Sequence, residues 1–264
     1  MLFNSYIFIL FFLPLCVAVY FLLYRVRAGR CARLWLLGMS LWFYGYFNPS
    51  YVWIICGSIL ANFGLSVYLL RQYEAGEVRR GRAAMILGVA GNVALLFYFK
   101  YFDFFLENIN AVFRTDFVLR KIVLPLGISF FTFQQVSYVV DSWRGETKGY
   151  SLLDYAVFVS FFPQLVAGPI VLHDELIPQL RDEKKHRPDA YCLSRGLYLF
   201  SVGLFKKVIV ADTLGNLVTL GFGGLEILTT IDVLLVIVCF SLQLYFDFSG
   251  YSDMATGIAS LFGI

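Results

Sequence analysis

Apolar runs of about the length that crosses a bilayer, roughly 20 residues, recur along this chain, separated by short basic or Gly/Pro-bearing breaks. Residues 6–24, 34–47, 51–70 and 83–102 form four such runs. Residues 103–116 read as an outer loop or an interfacial helix, and 117–121 as an amphipathic piece lying on the surface. A further run at 123–140 carries many polar interruptions, 150–172 is broken by proline and glycine, and 191–211 is again a clean span. Residues 214–225 are glycine-rich and read as a loop. Between 231 and 248, twelve Leu, Ile, Val or Phe residues each favour insertion by about 0.3–0.6 kcal/mol, against roughly 2.5–3.5 kcal/mol for a central Asp. The apolar side wins. The pattern predicts an all-α polytopic membrane protein of roughly seven to nine membrane helices, forming a single integral-membrane domain over 1–264.

Charge sets the orientation. Arg25, Arg27, Arg30 and Arg33 follow the first span, and Arg71, Arg79, Arg80 and Arg82 follow the third. Two crossings separate the basic loops, as the positive-inside rule requires, so the N-terminus is expected outside. No basic residue precedes the first span, so it reads as a retained helix and not a cleaved signal. Composition agrees, with 59% hydrophobic and 15% charged residues against about 25% charged in soluble domains. The net charge of +3 belongs to these loops and does not point to nucleic acid. Cys16, Cys31, Cys56, Cys192 and Cys239 have neither disulfide nor metal spacing and read as small hydrophobes.

The candidate chemistry lies in polar positions within apolar runs. In 123–140 and just beyond it, Gln134, Tyr138 and Asp141 fall on one helical face. Such a stripe either hydrogen-bonds a neighbouring helix or lines a passage. In 150–172, Pro163, Gly168 and Pro169 predict a broken or re-entrant segment, tolerated at membrane depth only where protein or water covers it. From Gln243 to Met254 the chain reads Gln-Leu-Tyr-Phe-Asp-Phe-Ser-Gly-Tyr-Ser-Asp-Met. Carboxylates at this depth face a cavity, a pathway or a partner, or mark the end of a span. Lys206 and Lys207 near the end of 191–211 are expected to snorkel. His173 and His186 read as loop histidines, solvated or hydrogen-bonded. The apolar segment is still running at Ile264, which reads as the N-terminal part of a longer protein.

Walker, dinucleotide, His-Glu-x-x-His, Cys-x-x-Cys and nucleophile-elbow motifs are all missing from the sequence. A polar interior with a broken helix fits a transporter, with intramembrane aspartates as coupling groups, as well as an enzyme. Three blocks go further. They are Leu124-Pro125-Leu126-Gly127-Ile128-Ser129-Phe130-Phe131-Thr132-Phe133-Gln134 with Tyr138-Val139-Val140-Asp141, then Phe161 to Ile170 (Phe-Phe-Pro-Gln-Leu-Val-Ala-Gly-Pro-Ile), then Tyr245 to Met254. In this order and spacing the chain resembles the membrane-bound O-acyltransferase family, and most of all its alginate O-acetylation branch. The teichoic-acid D-alanine transfer branch is a more distant likeness.

That resemblance implies a ring of helices around a central tunnel. It also implies acyl transfer from a cytoplasmic thioester, acetyl-CoA or a carrier-protein thioester, with no bound cofactor or metal. The acceptor would be a hydroxyl of an exported polysaccharide such as alginate, or of an extracytoplasmic partner protein. The family's general base is a histidine beyond the third block. Neither His173 nor His186 matches it, so no catalytic residue is carried over and the piece is expected to be inactive alone. The residues expected to line the tunnel are Gln134, Asp141, Gln164, Tyr245, Asp247, Ser249, Tyr251 and Asp253. Hydrogen bonding between helices is the other role open to each.

Overall fold

The computed structural model describes residues 1–165, 168, 171–182, 189–224 and 228–264, and these form helices and connections with no strand among them. In chain order the helices are α1 (Leu13–Arg25, led by a π-helical stretch Phe8–Phe12), α2 (Gly29–Gly45), α3 (Ser50–Glu74), α4 (Val78–Lys100), α5 (Phe102–Phe113) and α6 (Ile128–Arg144). Then come α7 (Leu152–Ser160), α8 (Phe162–Leu165), α9 (His173–Arg181), α10 (Ala190–Phe205), α11 (Asp212–Gly223) and α12 (Thr230–Leu261). Among the described residues, four helices are long and apolar enough to cross a membrane: Phe8–Arg25, α3, α4 and α12. Their outward faces stay apolar. Leu87 and Ile231 are each more than 70% exposed, which in water would be a fault and in lipid is the ordinary solution.

Contacts divide the chain into two compact units. The first comprises residues 1–36, 167–169 and 179–264, the second residues 37–166 and 170–178. In the first unit, α10 runs on through a π-helical stretch, Lys206–Ala211, into α11, so the helix continues to Gly223. The loop expected at 214–225 is therefore a helix as far as Gly223. Two of its glycines serve packing: a Cβ on Gly215 would meet Gln243 at 2.9 Å, and one on Gly221 would meet Val236, both on α12. The seam between α10 and α12 is tighter still. Gly196 faces Gly257, and seven residues on Gly203 faces Gly250, where added Cβ atoms would lie 2.5–2.8 Å from the opposing carbonyl oxygens. Small residues let membrane helices approach backbone to backbone, where dispersion holds them together without a hydrophobic drive. α12 starts at a capping box in which Thr229 accepts from the Asp232 amide and Asp232 from the Thr229 amide, worth about 1 kcal/mol. Tyr251 of α12 stacks on Phe3 at 4.7 Å, and Phe262 meets Tyr20 edge-on at 5.1 Å.

In the second unit, α3, α4, α6 and α7 pack together. Residues 103–116, expected as an outer loop or an interfacial helix, are helical as far as Phe113 in α5, which buries none of its side chains. The following strap is pinned where Asp103 accepts from the Arg120 and Ile122 amides and Asn110 from the Phe117 amide. The break expected near 150–172 begins at Phe161, whose backbone leaves the helical region (φ −53°, ψ 106°). Gly127 opens α6 in the left-handed conformation (φ +65°) with its Cα against the Leu165 carbonyl oxygen, so a side chain here would be strained and obstructed at once. His173, eight residues after Leu165, meets the other end of α6 through Asp141. The broken segment is thereby pinned at both ends of one helix. Val166, Ala167, Pro169 and Ile170 of the second block, and His186, lie outside the described residues.

Candidate functional site

The α6 stripe is real and buried. Gln134 is 4% exposed, and its side-chain carbonyl has no donor among the described residues. One turn on, the Tyr138 ring lies 4.2 Å from Tyr155 of α7. At the end of the stripe, Asp141 accepts from Ser137 Oγ at 3.2 Å and contacts Arg144 at 3.5 Å and His173 Nε2 at 3.1 Å. An ionised carboxylate only accepts, so the imidazole proton facing it sits on Nε2, and in the neutral ring Nδ1 then keeps a lone pair. That Nδ1 is buried and has no partner among the described residues. An imidazole oriented by a carboxylate with its second nitrogen free has the electronics of a general base. Yet this ring is only 3% exposed and boxed edge-on by Tyr138, Tyr150 and Phe158. In this conformation it fastens the start of α9 to the end of α6. Gln164 plays a comparable part in the break, its amide donating to the Phe158 carbonyl at 2.6 Å.

A neutral network, not singled out in the sequence, joins three helices of the same unit. Ser58 Oγ donates to Gln135 Oε1 at 2.6 Å. Asn62 donates to Asn92 at 3.1 Å and to Gln135 at 3.1 Å, and Asn92 donates back to Asn62 at 2.7 Å. The available signal was a lone asparagine in the middle of each of two otherwise apolar spans. Amides there look for each other because hydrocarbon offers no alternative.

The third block sits in the first unit, on α12, and is ionic. Lys206 Nζ donates to Asp253 Oδ2 at 2.6 Å and to Ser249 Oγ at 3.0 Å. Lys207 Nζ lies 2.8 Å from Asp247 and 3.0 Å from Asp212. These lysines do not snorkel as expected. They occupy the π-helical stretch at the end of α10, and the wider turn delivers two consecutive ammonium groups to α12, directly beyond the Gly203–Gly250 contact. π-turns inside α-helices cluster at functional positions. Of the eight candidate residues, Asp247, Ser249 and Asp253 are thus gathered by two cations, while Gln134 and Gln164 are buried and Asp141 part-buried around α6 and the break. Tyr245 is 63% exposed, and Tyr251 stacks at the N-terminal segment.

Among the described residues no group of three His, Cys, Asp or Glu side chains is placed to hold a metal ion. The chemistry offered is proton and charge handling within apolar surroundings: two lysine–carboxylate pairs, one carboxylate–imidazole pair and several buried amides.

The sequence model of the MBOAT, membrane-bound O-acyltransferase family, matches residues 93–264. Over 290 aligned positions the chain is 39% identical to a peptidoglycan O-acetyltransferase of Helicobacter pylori, an alignment covering all of this chain and 54% of that protein. It is 37% identical to a probable alginate O-acetylase of Pseudomonas aeruginosa, covering all of this chain and 50% of the relative. A teichoic acid D-alanyltransferase of Lacticaseibacillus rhamnosus is 25% identical across 80% of this chain and 51% of its own length. The chain spans about half the length of the curated relatives it matches.

Proposed function

The chain belongs to the membrane-bound O-acyltransferase family, and on that premise we propose that it takes part in O-acetylation of an exported cell-envelope polysaccharide, alginate or peptidoglycan in type. The acyl group passes from a cytoplasmic thioester, acetyl-CoA or a carrier-protein thioester, to a hydroxyl on the outer side of the inner membrane. The observation that carries this reading is whole-chain similarity to proteins named for acetylating such polymers, at 37–39% identity. The N-terminus lies outside, which puts the basic turns after α1 and α3 in the cytoplasm, on the donor's side.

Within this reading no residue of 1–264 makes or breaks the acyl bond. A histidine elsewhere in the enzyme removes the hydroxyl proton as the thioester is attacked. Gln134, Asp141 and Gln164 hold the polar groups around α6 in place, and Asp247, Ser249 and Asp253 hold those of α12. A carrier with aspartates as coupling groups fits less well. A coupling carboxylate must be free to load and release its ion, whereas Asp247 and Asp253 are each within 2.8 Å of a lysine.

Deleting the gene from its host and measuring acetate released from purified envelope polysaccharide by mild base tests the reading. Loss of base-labile acetate at unchanged polymer yield is expected, with recovery on complementation. Unchanged ester content in the deletion overturns it.

A further inference from the structure

A pocket of about 300 Å³ opens where α3 turns into α4 beside the end of α6. It is lined by Gln72, Tyr73, Glu77, Gly81, Trp143 and Arg144. Gln72 and Tyr73 belong to the last turn of α3, and Gly81 to the first turn of α4, two helices long and apolar enough to span the membrane. The pocket therefore sits at headgroup depth, the level where aromatic and basic side chains concentrate.

Its chemistry is two-sided. On one side, Glu77 is half-exposed, and its contact to Arg80 is 3.7 Å, well beyond the roughly 2.7–2.9 Å of a strong charged hydrogen bond. Beside it, Gln72 Oε1 is buried with no donor among the described residues. A buried acceptor without a donor calls for an explanation, and an unseen ligand is one. The Tyr73 ring already attracts a cation, with Lys148 Nζ 5.2 Å from its centroid. These groups together ask for an N–H-bearing cation. On the other side Arg144 is more than half exposed and touches Asp141 only at 3.5 Å, leaving most of its guanidinium fork to bind a phosphate. Gly81 keeps the space open, since a Cβ there would meet the Trp143 ring at 3.3 Å.

We propose that this pocket binds an aminoalkyl phosphate, and specifically the phosphoethanolamine headgroup of a membrane phospholipid. The ammonium sits between Gln72 Oε1, Glu77 and the aromatic rings, and the phosphate lies on Arg144. Phosphatidylglycerol offers no cation to Glu77, and phosphatidylcholine offers a cation without N–H for Gln72. The reading is independent of the acyl-transfer chemistry.

The test places the purified full chain in nanodiscs of phosphatidylglycerol mixed with either phosphatidylethanolamine or phosphatidylcholine and counts retained lipids by native mass spectrometry. Retention of phosphatidylethanolamine about tenfold above either competitor is expected, falling to parity in Gln72→Leu/Glu77→Gln. Glu77→Gln alone, at a half-exposed position the fold does not depend on, should lose most of the preference and covers the case in which the double variant misfolds. Equal retention of the three lipids, or a preference unchanged by Glu77→Gln, overturns the proposal. An added arm with soluble O-phosphoethanolamine separates the sources. Failure to displace the lipid supports a headgroup site, and complete displacement at millimolar concentration overturns the lipid assignment.

Discussion

The two units stabilise polar groups in a membrane by opposite means. Around α12 the means are ionic: across a seam where four glycines bring two backbones together, Lys206 and Lys207 meet Asp253 and Asp247, and Lys207 also meets Asp212 on its own helix. Around α6 they are mostly neutral, with Asn62, Asn92, Gln135 and Ser58 exchanging amide and hydroxyl hydrogen bonds beside the Asp141–His173 pair. The difference concerns what happens when one partner is lost. An amide left alone in hydrocarbon loses a hydrogen bond of about 0.6–1.7 kcal/mol. A charge left without its counter-charge costs up to about 3–5 kcal/mol where the pair is shielded from water, and these pairs are about a quarter to a half exposed. The α12 face is therefore the brittle one, and the α6 network the tolerant one.

The largest expected effect is at the glycine seam. Gly203→Leu would drive a side chain into the Gly250 carbonyl and the Met254 amide, both backbone atoms that cannot rotate away. Loss of more than about 4 kcal/mol is expected, read as failure to recover monodisperse protein from membranes. Recovery at wild-type yield would mean the helices do not meet there.

Next comes Lys206→Met, which strands Asp253 and should cost up to about 3–5 kcal/mol, while Lys206→Met/Asp253→Leu should regain most of it because a neutral apolar pair replaces a charged one. Thermal unfolding in detergent measures both, and a double variant no better than the single would remove the pairing from the explanation. Asp141→Ala leaves the buried His173 N–H without its acceptor and should cost about 1–3 kcal/mol, with increased proteolysis between α8 and α9 as its local sign. Smallest is Asn62→Leu, at about 0.6–1.7 kcal/mol. A loss equal to that of Lys206→Met would erase the contrast between the units.

Much of the fold was legible because lipid imposes one rule that sequence displays directly: twenty apolar residues in a row become a helix with its backbone satisfied internally. The spans at 51–70 and 83–102 became α3 and α4 within a few residues. The segment at 214–225 went the other way. Its glycines carried a loop signal, but a glycine is equally what a helix needs where another backbone presses on it, and only the presence of α12 says which. The site divides similarly. That Asp247 and Asp253 face a cavity, a pathway or a partner, or else mark the end of a span, followed from the energetics of a carboxylate at membrane depth. That the partners are Lys207 and Lys206 did not, because the lysines lie 40 or more residues away and reach α12 through a π-helical turn that no residue pattern announces.

His173 shows the limit most plainly. In the chain it is one histidine after a proline-broken stretch, indistinguishable from a solvated loop residue. In the fold it is 3% exposed and joined to Asp141, 32 residues upstream. The sequence by itself determined that these helices are apolar outside, that the chain breaks near Phe161, and that acids and amides are carried to membrane depth. Each of those is a property of neighbouring residues and the solvent. Which acid meets which base was decided only in the tertiary structure, because pairing depends on distances between segments whose separation along the chain leaves no periodic trace.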